Sequence, residues 1–131
     1  MGYIRHGTVS QADYETGRIR VTYKEKNDCV SAWLEYFNFN GEYKVPEIGS
    51  KVIVLMFDSN KGVAIGGYFN KETILEETGK GVFVKELGTK LGEAKIVYKN
   101  GTILMKAENI EFEVDGKVIN LKELAEKVNN L

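Results

Sequence analysis

Apolar positions along this chain recur mostly at every second residue, the period of a strand with one buried face. Ile19, Val21 and Tyr23 alternate with Arg18, Arg20, Thr22 and Lys24, and Ile110, Phe112 and Val114 alternate with Glu111, Glu113 and Asp115. Between residues 45 and 70 the alternation gives way to two denser runs. Residues 51–57 are almost continuously apolar, 58–62 (DSNKG) carry turn residues, and 63–69 form a second run interrupted by Gly66 and Gly67. Short Val- and Ile-rich runs bounded by turn signals predict a hairpin whose strands are buried on both faces. Paired glycines inside a strand predict a sharp bend or a closely passing backbone.

Upstream, residues 3–9 and 17–24 read as two strands joined by a turn at 13–17, and residues 24–28 as a solvated loop. The aromatic-rich stretch 32–39 is a third strand or an extended bridge. With the 45–70 hairpin this makes about five strands in about 70 residues, the size of a five-stranded Greek-key barrel of the oligonucleotide/oligosaccharide-binding (OB) type. After a polar, acidic connector at 71–80, a short strand at 81–85 precedes runs at 94–99, 102–107, 109–114 and 117–119. Asn100-Gly101 and Asp115-Gly116 separate these runs, and such dipeptides are strong hairpin signals. The expected product is a small antiparallel meander with one apolar face and too little chain to cover it. Asn120 followed by Glu123 has the form of a capping box. Leu121, Leu124, Val128 and Leu131 then follow at spacings of three, four and three, a seam on one face of a short C-terminal helix. A helix of about eleven residues is marginal in water by itself, so it is expected to dock on the meander or bundle with copies of itself.

Composition narrows the function classes. The 131 residues suit one domain, or one domain with an appendage. Net charge is −1 and the pI 5.9, which provides no general basic field for nucleic acid. The single cysteine, Cys29, has no internal disulfide partner and fits a reducing compartment. No leader pattern opens the chain, and no apolar stretch approaches the ~18 residues of a membrane span. Synthesis in a cytoplasm without stable membrane insertion is the expectation.

The chemistry-bearing residues give little support to catalysis. Trp33, Tyr36, Phe37 and Phe39 resemble a stacking platform for single-stranded nucleic acid, but no basic residues cluster around them in the sequence, so core and subunit interface is the preferred reading. Arg18, Arg20 and Lys24 read as the wet face of a strand, pairing with neighbouring acids. His6 and Cys29 are too few and too far apart for a zinc site, and Asp28 beside Cys29 opposes thiolate formation. Glu108, Glu111, Glu113 and Asp115 alternate like the solvent face of a strand, with no domain to build the cleft a glycosidase needs. Gly79, Gly81, Gly88 and Gly92 form no phosphate-cradling motif. The expectation is therefore a non-enzyme with no cofactor and no metal.

The order of short motifs carries a resemblance. Gly7-Thr-Val9, Asp13 with Thr16-Gly-Arg-Ile-Arg-Val21, Ser31-Ala-Trp-Leu34, Pro46-Glu-Ile-Gly49 leading into Lys51-Val-Ile-Val-Leu55, and Gly62-Val-Ala-Ile-Gly-Gly-Tyr68 together resemble the barrel domain of phage baseplate assembly protein V. That is the central spike family of contractile tails, related to the valine-glycine repeat spike proteins of type VI secretion. The resemblance covers residues 4–70. It implies a homotrimer in the baseplate of a phage or phage-tail-like particle, contacting tail hub or tube proteins. The family's His-x-His iron-binding apex has no counterpart, because His6 is the one histidine. The resemblance thus implies a short spike that receives a separate tip protein, or a hub adaptor. The expected organisation is a barrel at 1–70, a connector at 71–80, and a trimerising meander with its helix at 81–131. Ile96, Ile103, Met105, Ile110, Phe112, Val114, Leu121, Leu124, Val128 and Leu131 are the candidate trimer-interface residues. The alternative is a monomeric barrel that binds single-stranded nucleic acid or a glycan.

Overall fold

A computed structural model describes residues 2–67 and 75–131. The chain forms two compact units, Met1–Ile74 and Leu75–Leu131. It is mostly β, with one short helix at the C-terminal end, and among the described residues no helix is long and apolar enough to cross a membrane.

In the first unit β1 (Tyr3–Asp13), β2 (Arg18–Tyr23), β3 (Cys29–Val30), β4 (Glu35–Tyr36), β5 (Lys51–Met56) and β6 (Gly62–Ile65) form one sheet, ordered β3-β2-β1-β5-β6-β4. All neighbours are antiparallel except β4 and β6, which are parallel. An Ile19–Leu34 bridge brings the chain before β4 back onto β2, so the sheet curls into a half-barrel. Its concave side holds the core, with Ile19, Val21, Val52, Val54 and Ala64 at 0% exposure.

The long β1 makes this curl possible. Residues Tyr3 to Thr8 pair with β5, Thr8 to Asp13 pair with β2, and the register shifts between Val9 and Gln11. Such an irregularity bends a strand and increases its twist. Gly7 lies inside the bend, where a Cβ would meet Val21 Cγ1 and would stand 2.6 Å from the Thr22 carbonyl oxygen. The first strand therefore extends well beyond the expected 3–9. The β1–β2 turn closes by a Gly17 N–H to Asp13 C=O bond of 2.8 Å, with Gly17 at φ +76.

Two expectations for this unit are corrected and one alternative is decided. The 51–57 run is not buried on both faces: Val52, Val54 and Met56 enter the core, while Ile53 is 36% exposed and faces outward. The half-barrel has one inside, and among the described residues of the unit no second layer covers its outer face. Of the two readings of the 32–39 stretch, the extended bridge fits: it contributes the short β4 and the Leu34 bridge to β2. Lys24 leaves the wet strand face and starts a 3-10 turn, Lys24–Lys26, that ends in left-handed Asn27 and Asp28. The glycine pair follows β6, and Gly66 lies against the Tyr36 phenol, a close approach that leaves no space for a side chain. The expected continuation of this strand through 68–70, and the first part of the connector (71–74), lie outside the described residues.

In the second unit β7 (Phe83–Glu86), β8 (Lys95–Lys99) and β9 (Thr102–Lys106) form an antiparallel sheet. The hairpin of β10 (Glu111–Val114) and β11 (Lys117–Asn120) is a separate sheet, followed directly by α1 (Leu121–Asn129). Both Asn-Gly and Asp-Gly turns have positive φ at both central residues, the geometry of two-residue hairpin turns. The continuous meander expected from sequence is thus two sheets, and hydrogen-bond parity supplies a reason. A two-residue turn makes Lys99–Thr102 and Val114–Lys117 hydrogen-bonded pairs, so the outward backbone groups belong to Ile103 and Met105 on β9 and to Glu111 and Glu113 on β10. Joining β9 to β10 antiparallel would set those carboxylates beside Ile103 and Met105 on one face.

Candidate assembly surface

One face of the β7–β9 sheet is partly covered by charge, over β8, while Leu104 on the same face stays 48% exposed. Lys95 and Val97 are each 4% exposed, and the Lys95 ammonium lies 3.3 Å from Glu76 Oε2 and 4.0 Å from Glu77 Oε1. Lys99 reaches Glu77 Oε2 at 3.5 Å. The acidic part of the connector therefore acts as an ion-paired cover over this face. A nearby loop is held in the same way: Glu93 Oε2 accepts the Lys90 and Thr89 N–H groups at 3.2 and 3.1 Å. Chiefly because of the Lys90 bond, that carboxyl titrates below its ordinary range.

The opposite face has no such cover. Cross-strand registers align Phe83, Tyr98 and Ile103 in one row and Lys85, Ile96 and Met105 in the next. Ile103 is 70% exposed, and Phe83, Tyr98 and Met105 are all exposed, while Ile96 is half-buried. On the hairpin, Phe112 pairs with Ile119 and Val114 with Lys117, which puts Phe112, Val114 and Ile119 on one exposed face and Glu111 and Glu113 on the other. The helix begins where the Asn120 Oδ1 accepts the Glu123 N–H at 3.1 Å and the Leu121 N–H bonds the Ile110 carbonyl at 2.9 Å. No residue of α1 is buried.

Of the ten residues singled out from sequence, Ile103, Met105, Phe112, Val114, Leu124, Val128 and Leu131 are exposed, and Ile96, Ile110 and Leu121 are half-buried. The structure brings Ile96, Ile103 and Met105 together on the sheet face, Phe112 and Val114 together on the hairpin, and Leu121, Leu124 and Val128 along α1, while Leu131, expected in the same helical seam, lies beyond the helix end. Phe83, Tyr98 and Ile119 belong to the same faces and were missed. Alternation marks only one strand at a time, whereas cross-strand register makes these residues neighbours.

The other sequence candidates are dispersed. Arg18 Nε pairs with Glu35 Oε1 at 3.2 Å, as a neighbouring acid would predict. Arg20 does approach Trp33, its guanidinium 5.9 Å from the ring centroid, so the aromatic stretch has a basic neighbour that sequence distance concealed. The Arg20 nitrogens are already engaged, with the Ser31 carbonyl at 2.9 Å and Gln11 Oε1 at 3.2 Å. Trp33, Phe37 and Phe39 are exposed and do not form the core expected of them, while Tyr36 packs against it. His6 lies on the outer sheet face opposite Ile53, and Cys29 is exposed on β3. Among the described residues no group of three His, Cys, Asp or Glu side chains could hold a metal ion. In comparisons with known proteins, no family model matches the chain and no curated protein matches it.

Proposed function

We propose that this chain is a structural protein that assembles as a homotrimer through its second unit and forms part of the central spike or hub of a contractile tail. The observation that carries the reading is the bare apolar face of β7–β9, together with the equally bare hairpin face and helix seam. Exposed apolar surface on this scale marks an interaction site. Burying half-exposed Ile, Met, Phe, Val and Leu side chains contributes about 1 kcal/mol each, and closed cyclic symmetry is the usual way to satisfy a surface of this kind. The strand order β3-β2-β1-β5-β6-β4, with its parallel β4–β6 pair and the return of Leu34 to β2, supports reading the first unit as a five-stranded Greek-key OB barrel in which 29–36 act as one broken strand. In this reading three second units make a stiff axial rod. The barrels form a collar gripped by tube and baseplate proteins, a separate protein supplies the tip, and the chain performs no catalysis.

Light scattering on the full chain tests the reading. The expected mass is three times the 14.7 kDa of one chain, and Ile103→Asp combined with Phe112→Asp is expected to give a folded monomer. A full-length monomer at micromolar concentration refutes it and favours the monomeric binding barrel.

A further inference from the structure

Several cations of the described structure are engaged by polar partners: Arg18 by Glu35, Arg20 by Gln11 and the Ser31 carbonyl, Lys51 by Thr8, Lys95 by Glu76 and Lys99 by Glu77. Arg5 is different. Its guanidinium is held over two phenol rings, 4.7 Å from the Tyr3 centroid and 5.4 Å from that of Tyr23, and among the described residues it has no carboxylate or hydrogen-bond partner. It lines a cleft of about 150 Å³ at one end of the half-barrel, between the 3-10 turn after β2 and the β5–β6 turn. Lys26, from the first of these turns, lines the same cleft and is likewise without an ion pair among the described residues.

The remaining wall is uncharged and mixed, with Val30, Ala32, Leu34 and Met56 apolar and Ser31, Ser59 and Asn60 polar. Ser59 and Asn60 come from the β5–β6 turn, and no carboxylate lines the cleft. The nearest acids are otherwise placed. Asp58 Oδ1 accepts the Asn60 and Lys61 N–H groups at 2.8 and 2.9 Å within its own turn, and Glu25 and Asp28 lie on the neighbouring loop without lining the cleft. Asn27 and Asp28 hold consecutive left-handed conformations, φ +56 and +59, just after Lys26. Asn and Asp are the non-glycine residues most at home in that region, so this pair turns the chain sharply after Lys26. A chain of net charge −1 thus concentrates two unneutralised cations in one recess.

We propose that the Arg5–Lys26 cleft binds a phosphate-type oxyanion. Arg5, pinned by the two rings, presents its N–H fork to two oxygens, the geometry in which guanidinium is strongest. Lys26 supplies the second positive charge that a dianion requires, and Asn60 offers an amide to a further oxygen. At ~30 Å³ per water the cleft has space for about five waters, which suits one phosphoryl group and not a whole nucleotide. The group is carried either by a small phosphorylated molecule or by a nucleic-acid strand, and both have the same chemistry at this site.

The test is a nitrogen-15 NMR titration of the full chain with inorganic phosphate at constant ionic strength, following the Arg5 Nε–H and the backbone amides of Lys26 and Asn60. A saturable shift with a Kd on the order of 1 mM is expected, weakened at least about tenfold in Arg5→Gln and about threefold in Lys26→Gln. Acetate should bind more weakly than phosphate. Lys26 is exposed on a turn, so Lys26→Gln leaves the test valid even if loss of Arg5 perturbs the ring packing. Shifts that do not saturate, that persist unchanged in both variants, or that acetate reproduces equally overturn the proposal. Parallel titrations with a nucleoside monophosphate and with oligothymidylate identify the source: equal affinities assign the site to a small phosphorylated ligand, and much tighter, salt-sensitive binding of the oligomer assigns it to a strand.

Discussion

Replacing Gly7 by alanine is the sharpest test of how the half-barrel is closed. The added methyl would stand 2.6 Å from the Thr22 carbonyl oxygen and 3.1 Å from Tyr23 Cδ1, and against Val21 Cγ1. An unstrained carbon–oxygen contact is about 3.3 Å or longer, so the methyl must displace backbone by roughly 0.7 Å. The obstructing strand cannot easily yield, because β2 is paired on one side with β1 and on the other with β3. Overpacking of this kind costs about 1–3 kcal/mol, and a backbone obstacle puts Gly7→Ala near the upper end. The reduced freedom of the unfolded chain returns about 0.5 kcal/mol. A net loss of about 2 kcal/mol corresponds to a fall in Tm of roughly 10 °C for a unit of this size. Trp33 is the one tryptophan and lies in the first unit, so its fluorescence during thermal or urea unfolding reports this unit alone. Gly17→Ala is the control: φ is +76 but nothing lies within 4 Å of a Cβ, so only the left-handed backbone penalty of about 1 kcal/mol applies. If Gly7→Ala is no more destabilising than Gly17→Ala, the close approach of β1 to β2 at Gly7 is not a steric constraint on how the half-barrel closes.

Three further outcomes can be checked independently. On β5, Val54→Ala should cost about 2 kcal/mol in chemical unfolding and Ile53→Ala less than about 1 kcal/mol, since Val54 is wholly buried and Ile53 is not; equal losses would mean both faces are packed. Asn120→Ala removes the cap on α1 and should reduce helical circular dichroism, in line with a loss of about 1 kcal/mol, and an unchanged spectrum would show that packing alone holds the helix. Because hydrogen bonds to the Lys90 and Thr89 backbone hold the Glu93 carboxyl below its ordinary range, its contribution to the loop is present above the ordinary glutamate range and is lost as pH falls through the lowered folded value. An NMR titration should place its midpoint below that of an unstructured glutamate, and a midpoint at or above that value would contradict the loop geometry.

Local sequence determined much of this architecture. Alternation at 18–23 and 111–114, the two Xaa-Gly turns and the Asn120 cap all act over a few residues, and each appears in the structure where the pattern placed it. The apolar run at 51–57 shows the limit of such reading: composition alone does not reveal whether one face of a strand or both is covered, because that depends on how many layers the rest of the chain provides. The break between β9 and β10 also lay beyond pattern reading, since it depends on hydrogen-bond parity transmitted through two turns. The Arg5–Lys26 cleft is the clearest case of a feature made by tertiary structure. Arg5, Tyr23, Lys26 and Asn60 are spread over 56 residues of sequence with no motif spacing, and they meet because the bent β1 carries Arg5 to the same end of the sheet as two unrelated turns. Periodicity determines which way a side chain faces along its own strand, while register and curvature decide which side chains share a site, and those depend on contacts between residues far apart in the chain.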